Sequence, residues 1–404
     1  MDIRTTDFSR RMALFEPSRS VTEILNLAER PDVISLAGGL PDPAVFDLDA
    51  IRESMDRVLR DEGAAALNYG PNLGYGRLRE WIAGRMAENC GVSLSPENIL
   101  VVSGGVDGLN LCAMALLDKG DTVLVGAPTY MMALHVFRTY EARIVPVPID
   151  EQGIDPDALE ERLRALDRKG VRPRLLYTNP SFQNPSGRTM GLPRRERLVE
   201  LCRRYQVRIA EDHAYGELVY DGEAVTPLKA LDPENVLFIH TFSKIFGPGA
   251  RLGWVAAEPA LIERLGLCKL GTDQCANTLT QRLVHDYGTR GLIDAQVQRS
   301  IELYRRKRDA MERAMTAHFP SDASWVHPGG GFFIWVRLAE DTDSEALLRR
   351  AIEEQKTAFV AGPPFFPDGD GANFMRLSYS FVPADQIEEA IQRLSSAMQP
   401  SQVA

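Results

Sequence analysis

Seven short apolar runs through the middle of the chain limit what it can fold into. They are I-L-V-V (99–102), T-V-L-V (122–125), R-I-V-P-V (143–147), R-L-L-Y-T (174–178), V-R-I-A-E (207–211), V-L-F-I-H (236–240) and L-G-W-V-A (252–256). Continuous β-branched and aliphatic runs of this length suit strands covered on both faces. Between them lie segments such as L-P-R-R-E-R-L-V-E-L-C-R-R-Y (192–205), with apolar residues at helical spacing. Strand–helix alternation predicts an α/β domain built on a mostly parallel sheet.

The pattern changes after about residue 290. A long charged helical stretch (Gln296 to Ala317) leads into G-G-G-F-F-I-W-V-R-L (329–338), a helix over 343–356, F-M-R-L-S-Y-S (374–380) and a last helix from Ala384. Fewer strands mixed with helices predict a smaller α+β domain. The expected layout is an N-terminal segment 1–45 packing with the small domain, a large domain 46–295 and a small domain 296–404. A chain of 404 residues with 44% hydrophobic content can bury cores of that size.

The formal net charge of -10 argues against general binding of nucleic acid or anionic membrane. The five cysteines, 90, 112, 202, 268 and 275, include no C-x-x-C pair, so neither a disulfide framework nor a zinc site is expected. The histidines show no metal-ligand spacing. The first residues have no apolar signal core and no stretch is long enough to span a membrane, so a cytoplasmic location is expected.

In an open α/β sheet, ligands bind beyond the carboxyl ends of the strands. The runs are followed by S-G-G-V-D-G (103–108), G-A-P-T-Y (126–130), T-N-P-S-F-Q-N-P-S-G (178–187), D-H-A-Y (212–215) and T-F-S-K (241–244). S-G-G-V-D-G at a helix start presents free N–H groups to an anion, although alone it is also an ordinary capped turn. It matches neither G-x-G-x-x-G nor the P-loop pattern. A lysine beside a strand end can form a Schiff base with a carbonyl, and desolvation would free its amine for that role. Alone, Lys244 is equally a lysine whose tip reaches solvent or a carboxylate. Asp212 could be a helix cap, Tyr130 and Tyr215 core aromatics, and Asn184-Pro185 a turn. The co-location of these groups is the signal.

N-P-S-F-Q-N-P-S-G, D-H-A-Y, T-F-S-K with Arg251, and F-M-R-L-S-Y-S together resemble the class I aminotransferases of fold type I, which depend on pyridoxal 5'-phosphate (PLP). I-S-L-A-G-G-L-P-D (34–42) and L-N-Y-G-P-N-L-G-Y-G-R-L-R-E (67–80) are similar to the 2-aminoadipate/kynurenine subgroup. The resemblance covers about residues 33–380 in chain order. It implies an enzyme that transfers the amino group of an L-amino acid to a 2-oxo acid by a ping-pong route. Lys244 would hold PLP covalently and move the proton at the substrate α-carbon. Asp212 would pair with the pyridine nitrogen, Tyr215 and Asn184 would bond the ring oxygen, and Tyr130 would stack on the ring. Gly104, Gly105 and Val106 would cradle the phosphate with backbone amides, with Ser243 and Arg251 opposite. Tyr69 would reach the phosphate of a neighbouring subunit, which implies a homodimer with shared sites. Arg376 would clamp the substrate carboxylate, with Gly39 and Asn184 beside it.

Two departures stand out. Gly105-Val106-Asp107 replaces the family's frequent Ser-Gln-Gln, so Asp107 is expected to point away from the phosphate. The subgroup's N-terminal I-R-E-I-L arginine is matched by V-T-E-I-L (21–25), with Thr22 in its place and Arg19 out of register. Recognition of an acidic side chain by that position is therefore lost, and aromatic, aliphatic or basic donors stay open. The same site residues are compatible with elimination or oxidation, and a non-catalytic PLP-binding sensor domain is a third reading. His213 is expected to lie behind the site or in solvent, and Cys112 and Cys275 to pack as apolar groups. The glycine-rich stretch 37–42 is a candidate for closing over the substrate.

Overall fold

The computed structural model describes residues 9–15 and 30–399. The V-T-E-I-L stretch with Thr22, and Arg19, lie outside the described residues. Eight strands form the large sheet: β2 (Ile99–Val102), β3 (Thr122–Ala127), β4 (Arg143–Asp150), β5 (Gly153–Ile154), β6 (Leu175–Thr178), β7 (Arg208–Asp212), β8 (Val236–Thr241) and β9 (Gly253–Ala256). Their order is β2-β9-β8-β7-β6-β3-β4-β5. β4, β3, β6, β7 and β8 run parallel, while β9 is antiparallel to both β8 and β2, and β5 to β4. β2 therefore points the same way as β8. Every residue of β2, β6 and β8 is buried, as unbroken apolar runs demand. Helices cover both faces, so each Val, Leu or Ile so buried contributes about 1.5–3 kcal/mol.

The second sheet orders β10 (Ser324–Trp325), β11 (Phe333–Arg337), β14 (Phe374–Ser378) and β13 (Val360–Ala361), all antiparallel. It packs on the helices Leu292–His318, Ser344–Gln355 and Ile387–Met398. The helix Leu292–His318 runs unbroken through residue 295, where a boundary was expected. Its first turns, with Ile293 and Val297, pack into a core on the large sheet, and Tyr304, Met311 and Met315 into the core of the small one. The chain thus passes between the two parts inside one helix, because both ends of that helix find an apolar face to cover.

The N-terminal segment is divided too. β1 (Ile34–Ser35) pairs in parallel with β12 (Thr357–Ala358), and Leu36, Ala37 and Val45 join the core of the small sheet. Arg10–Phe15 instead lies against the large part, where the Phe15 ring sits 4.5 Å from that of His135. Packing of the whole 1–45 segment on the small domain is corrected to that extent. Among the described residues, no helix is long and apolar enough to cross a membrane.

Candidate active site

Because β2, β3, β6, β7 and β8 share one direction, their carboxyl ends open on a single edge, and the antiparallel β9 starts there. The first pairs of that return, Thr241 with Gly253 and His240 with Trp254, bring Arg251 back to this edge. Arg251 sits at φ 49° and donates from Nη2 to the Ser103 carbonyl at 3.1 Å. A Cβ on Gly104 would lie 2.8 Å from that same Nη2. A side chain on Gly253 would strike the His240 carbonyl at 2.5 Å and the 104–105 backbone. Both glycines are required where two backbones and a guanidinium converge. Gly104 precedes the helix Gly105–Leu116 with φ 106°, leaving the first amides of that helix, Gly105 and Val106, at its positive end. Ser243 completes this corner, with its Oγ accepting from Thr241 Oγ1 at 2.9 Å.

Asp107 points away from the corner. Its Oδ2 accepts from the Ser103 amide at 2.8 Å and lies 3.7 Å from Lys269 Nζ. Lys269 is fully buried and binds both oxygens of Asp273, at 2.6 and 2.7 Å, while Ser103 Oγ donates to Asp273 at 2.5 Å. A buried cation therefore compensates two carboxylates behind the 103–106 turn, and these fix Ser103 by two bonds. The sequence reading missed this group; its only trace was the Lys269–Asp273 spacing of four.

Lys244 stands on the turn after β8. Its Nζ donates to the Gly39 carbonyl at 2.7 Å and lies 5.9 Å from the Tyr215 ring centroid and 5.6 Å from that of Phe332. It forms no ion pair with any described residue. Burial and then the nearby Arg376 pull its amine down to about 8, against an opposing pull from Asp212.

Asp212 ends β7. Tyr177 Oη donates to its Oδ2 at 2.7 Å, the Ala214 amide to its Oδ1 at 3.2 Å, and Asn179 Nδ2 to its backbone carbonyl at 3.2 Å. Burial raises its pKa, with the Tyr177 hydroxyl opposing. No cationic side chain among the described residues pairs with it. It is a carboxylate held in place by neutral donors. Tyr177 is a further residue of the site that sequence reasoning absorbed into a strand.

Arg376, on β14, is only 4% exposed. Its Nη1 donates to Asn184 Oδ1 at 2.8 Å and its Nη2 to the Ala37 carbonyl at 2.7 Å, while Nε has no partner. The guanidinium lies 4.1 Å from the Phe333 ring centroid and 5.1 Å from that of Phe365. Burial lowers its pKa to about 10. A buried guanidinium facing only neutral acceptors and aromatic rings is suited to an incoming carboxylate. Because Asn184 uses its oxygen on Arg376, its amide N–H groups remain for another acceptor, beside the Tyr215 hydroxyl.

Lys244, Arg376, Asn184, Tyr130, Tyr215 and Gly39 line one cleft of about 720 Å³. Burial pushes the Tyr130 hydroxyl up to about 12 and raises that of Tyr215 as well. Tyr69 is not in this cleft and is 84% exposed on the surface of the chain. His213 is buried, not exposed. Its ring packs 4.9 Å from Phe238 and 5.6 Å from His240, and burial lowers its pKa to about 3. It follows Asp212 by one position, so the alternation of an extended chain turns it away from the cleft.

Residues 31–394 match the family model for aminotransferase class I and II. The chain is 40% identical to aromatic-amino-acid aminotransferase 1 of Thermococcus litoralis, over 98% of this chain and 96% of the relative. A solved multiple substrate aminotransferase from Thermococcus profundus superimposes with TM-score 0.93 at 38% identity, covering 97% of both chains. The Pyrococcus horikoshii kynurenine aminotransferase, solved with pyridoxamine phosphate (PMP), kynurenine and kynurenic acid, superimposes with TM-score 0.93 at 37% identity, covering 98% of both chains.

Proposed function

This chain belongs to the class I and II aminotransferases and acts with PLP on amino acids, and from that premise we propose that the cleft around Lys244 and Arg376 is where the amino group is exchanged. The observation that carries this reading is a pair of cations without carboxylate partners, Lys244 and Arg376, in one cleft, with an anion lacking a cation, Asp212, close to Lys244. These unmatched charges fit the cofactor and an amino-acid carboxylate together. Asp212 would hold the pyridine nitrogen, Tyr215 and the Asn184 amide the ring oxygen, and Tyr130 the ring face. Gly104, Gly105, Val106, Ser243 and Arg251 would hold the phosphate.

When bound, PLP supplies the electron sink that makes the α-C–H bond acidic enough to break. The rest falls to the chain. Arg376 binds the substrate α-carboxylate and so fixes the direction of the α-C–H bond. The Lys244 amine takes the proton at the α-carbon and returns it one position away. Tyr177 and Ala214 keep the Asp212 carboxylate aimed, and Asp212 remains ionised beside a cation. The walls at Leu40, Met131, Met132 and Phe366 favour a donor with a large apolar or aromatic side chain. The exposed Tyr69 fits a homodimer in which it reaches the neighbouring subunit's phosphate site.

The test is a panel of L-amino acids with 2-oxoglutarate and pyruvate, scoring new amino acid, ammonia and peroxide. New amino acid in step with consumed donor, and largest turnover with aromatic donors, is expected. Ammonia or peroxide without new amino acid would mean elimination or oxidation instead.

A pH dependence follows from Lys244. Only its neutral amine can attack the cofactor, and its pKa is lowered to about 8. Capture of PLP by the apoprotein is therefore expected to accelerate about tenfold per pH unit below that value and to level off above it. Stopped-flow absorbance from pH 6 to 10 measures this, and a rate independent of pH across 6–9 contradicts it.

A further inference from the structure

The cleft holds a third cation besides Lys244 and Arg376. Arg138 lies in the last turn of the helix Met131–Thr139, and it lines the same cleft as Lys244 and Arg376. Its one hydrogen bond runs from Nη2 to the Pro367 carbonyl at 3.2 Å. It pairs with no carboxylate among the described residues, although Asp368 and Glu345 also line the cleft. Burial lowers its pKa, so the fold holds this charge partly desolvated without an anion to offset it. Arg194, Arg197 and Arg208, half-buried arginines of the large part, each have a carboxylate partner, whereas Arg138, like Arg79 and Arg188, bonds only backbone carbonyls among the described residues.

Its position suits a ligand already anchored at the other end. Arg138 is eight residues past Tyr130, about 12 Å along the helix axis, and helical side chains lean back towards the N-terminus, which brings the guanidinium closer to Tyr130. The cleft also has apolar walls, Leu40, Met131, Met132, Pro363 and Phe366, with the His135 imidazole beside Arg138. A molecule with a carboxylate at each end and methylenes between matches that combination of two guanidinium groups and apolar walls.

Resting on the reading of Lys244 and Arg376 as the exchange site, we propose that Arg138 is a specificity-determining residue that binds the distal carboxylate of a dicarboxylic 2-oxo acid or amino acid of five or six carbons. Aromatic donors would use the same apolar walls without engaging it.

The experiment compares wild-type holoenzyme with Arg138→Gln, which retains a donor for the Pro367 carbonyl, Arg138→Leu and Arg138→Lys. With phenylalanine as donor, KM for 2-oxoglutarate is expected to rise about 10- to 100-fold in the Gln and Leu variants, the worth of a lost charge-assisted bond. KM for pyruvate and kcat should stay within about threefold, and Arg138→Lys should recover part of the loss. A second arm follows binding of glutarate and of butyrate, its one-carboxylate counterpart, by the change in cofactor absorbance. Wild type should prefer glutarate, and the Gln and Leu variants should lose that preference. Equal effects on both acceptors would make Arg138 only a strap to the 363–369 loop and overturn the proposal, as would no effect on 2-oxoglutarate or no preference for glutarate in wild type. Absence of transamination with every acceptor would instead sink the exchange-site reading, and the glutarate arm would still decide the role of Arg138.

Discussion

Replacing Lys244 with alanine is expected to lower kcat by about 10⁴-fold or more, the combined worth of a positioned acid–base group and a covalent anchor. Neither tyrosine nor the arginine beside it can take over. Burial raises the Tyr215 and Tyr130 hydroxyls, so neither is a ready base near neutral pH. Arg376 stays protonated even at about 10 and is committed to Asn184 and the Ala37 carbonyl. Of these four groups the Lys244 amine is the one whose pKa lies close to neutrality. A second readout does not depend on turnover. Borohydride treatment should fix PLP to the wild-type chain, with the added mass on the peptide containing Lys244, and should fix none to the alanine variant. The variant should keep wild-type secondary structure, because the lysine tip bonds only the Gly39 carbonyl. A variant retaining more than about 1% of wild-type kcat, or one that still gains the mass, would remove Lys244 from the reaction.

How much of this was legible beforehand depends on what each residue contributes to pattern. The long strands were legible because burial on both faces leaves an unbroken apolar run, as in Ile99–Val102 and Val236–Thr241. The strands Thr357–Ala358, Val360–Ala361 and Ser324–Trp325 were not, because two residues carry no period. Lys244, Asp212 and Arg376 were legible as a set in chain order, since each is a charged residue at the end of, or within, an apolar run. Tyr177 was hidden by the same rule, because a tyrosine near the end of R-L-L-Y-T looks like one more strand residue until its hydroxyl is seen on Asp212. Asp107 was expected to point away from the turn at Gly104–Val106, and its carboxylate lies towards Lys269. The lysine itself was invisible, because in sequence a buried ion pair at a spacing of four looks like a solvated helix face. Exposure of His213 was the wrong alternative, because a helical layer covers the side of β7 away from the cleft and D-H-A-Y does not show how thick that cover is.

Asp212→Asn is the second large effect expected, and it separates charge from shape. Asparagine has nearly the volume of aspartate; its one oxygen can still accept from the Ala214 amide, while its NH2 can donate to Tyr177 Oη, whose own proton can turn to Asn179 Oδ1, so the position stays filled and hydrogen-bonded. What it lacks is the negative charge opposite the ring nitrogen. Removing one member of a buried charge pair costs about 3–5 kcal/mol, two to four powers of ten in rate if the whole cost falls on the transition state. The loss should appear mainly in kcat, because Arg376 still binds the α-carboxylate, and KM should change little. PLP affinity should fall as well, measured by equilibrium dialysis of the holo protein. Tyr177→Phe serves as the graded control. It removes one neutral donor at 2.7 Å from the carboxylate, worth about 0.5–1.5 kcal/mol and so roughly two- to tenfold in kcat, while leaving the charge in place. If Asp212→Asn costs no more than Tyr177→Phe, the carboxylate acts as an ordinary hydrogen-bond acceptor and the charge pairing proposed for it is wrong. If the loss is large and disappears in the double variant's coupling, so that Tyr177→Phe has no further effect once Asp212 is neutral, then the tyrosine acts through the carboxylate, as the geometry of β6 and β7 implies.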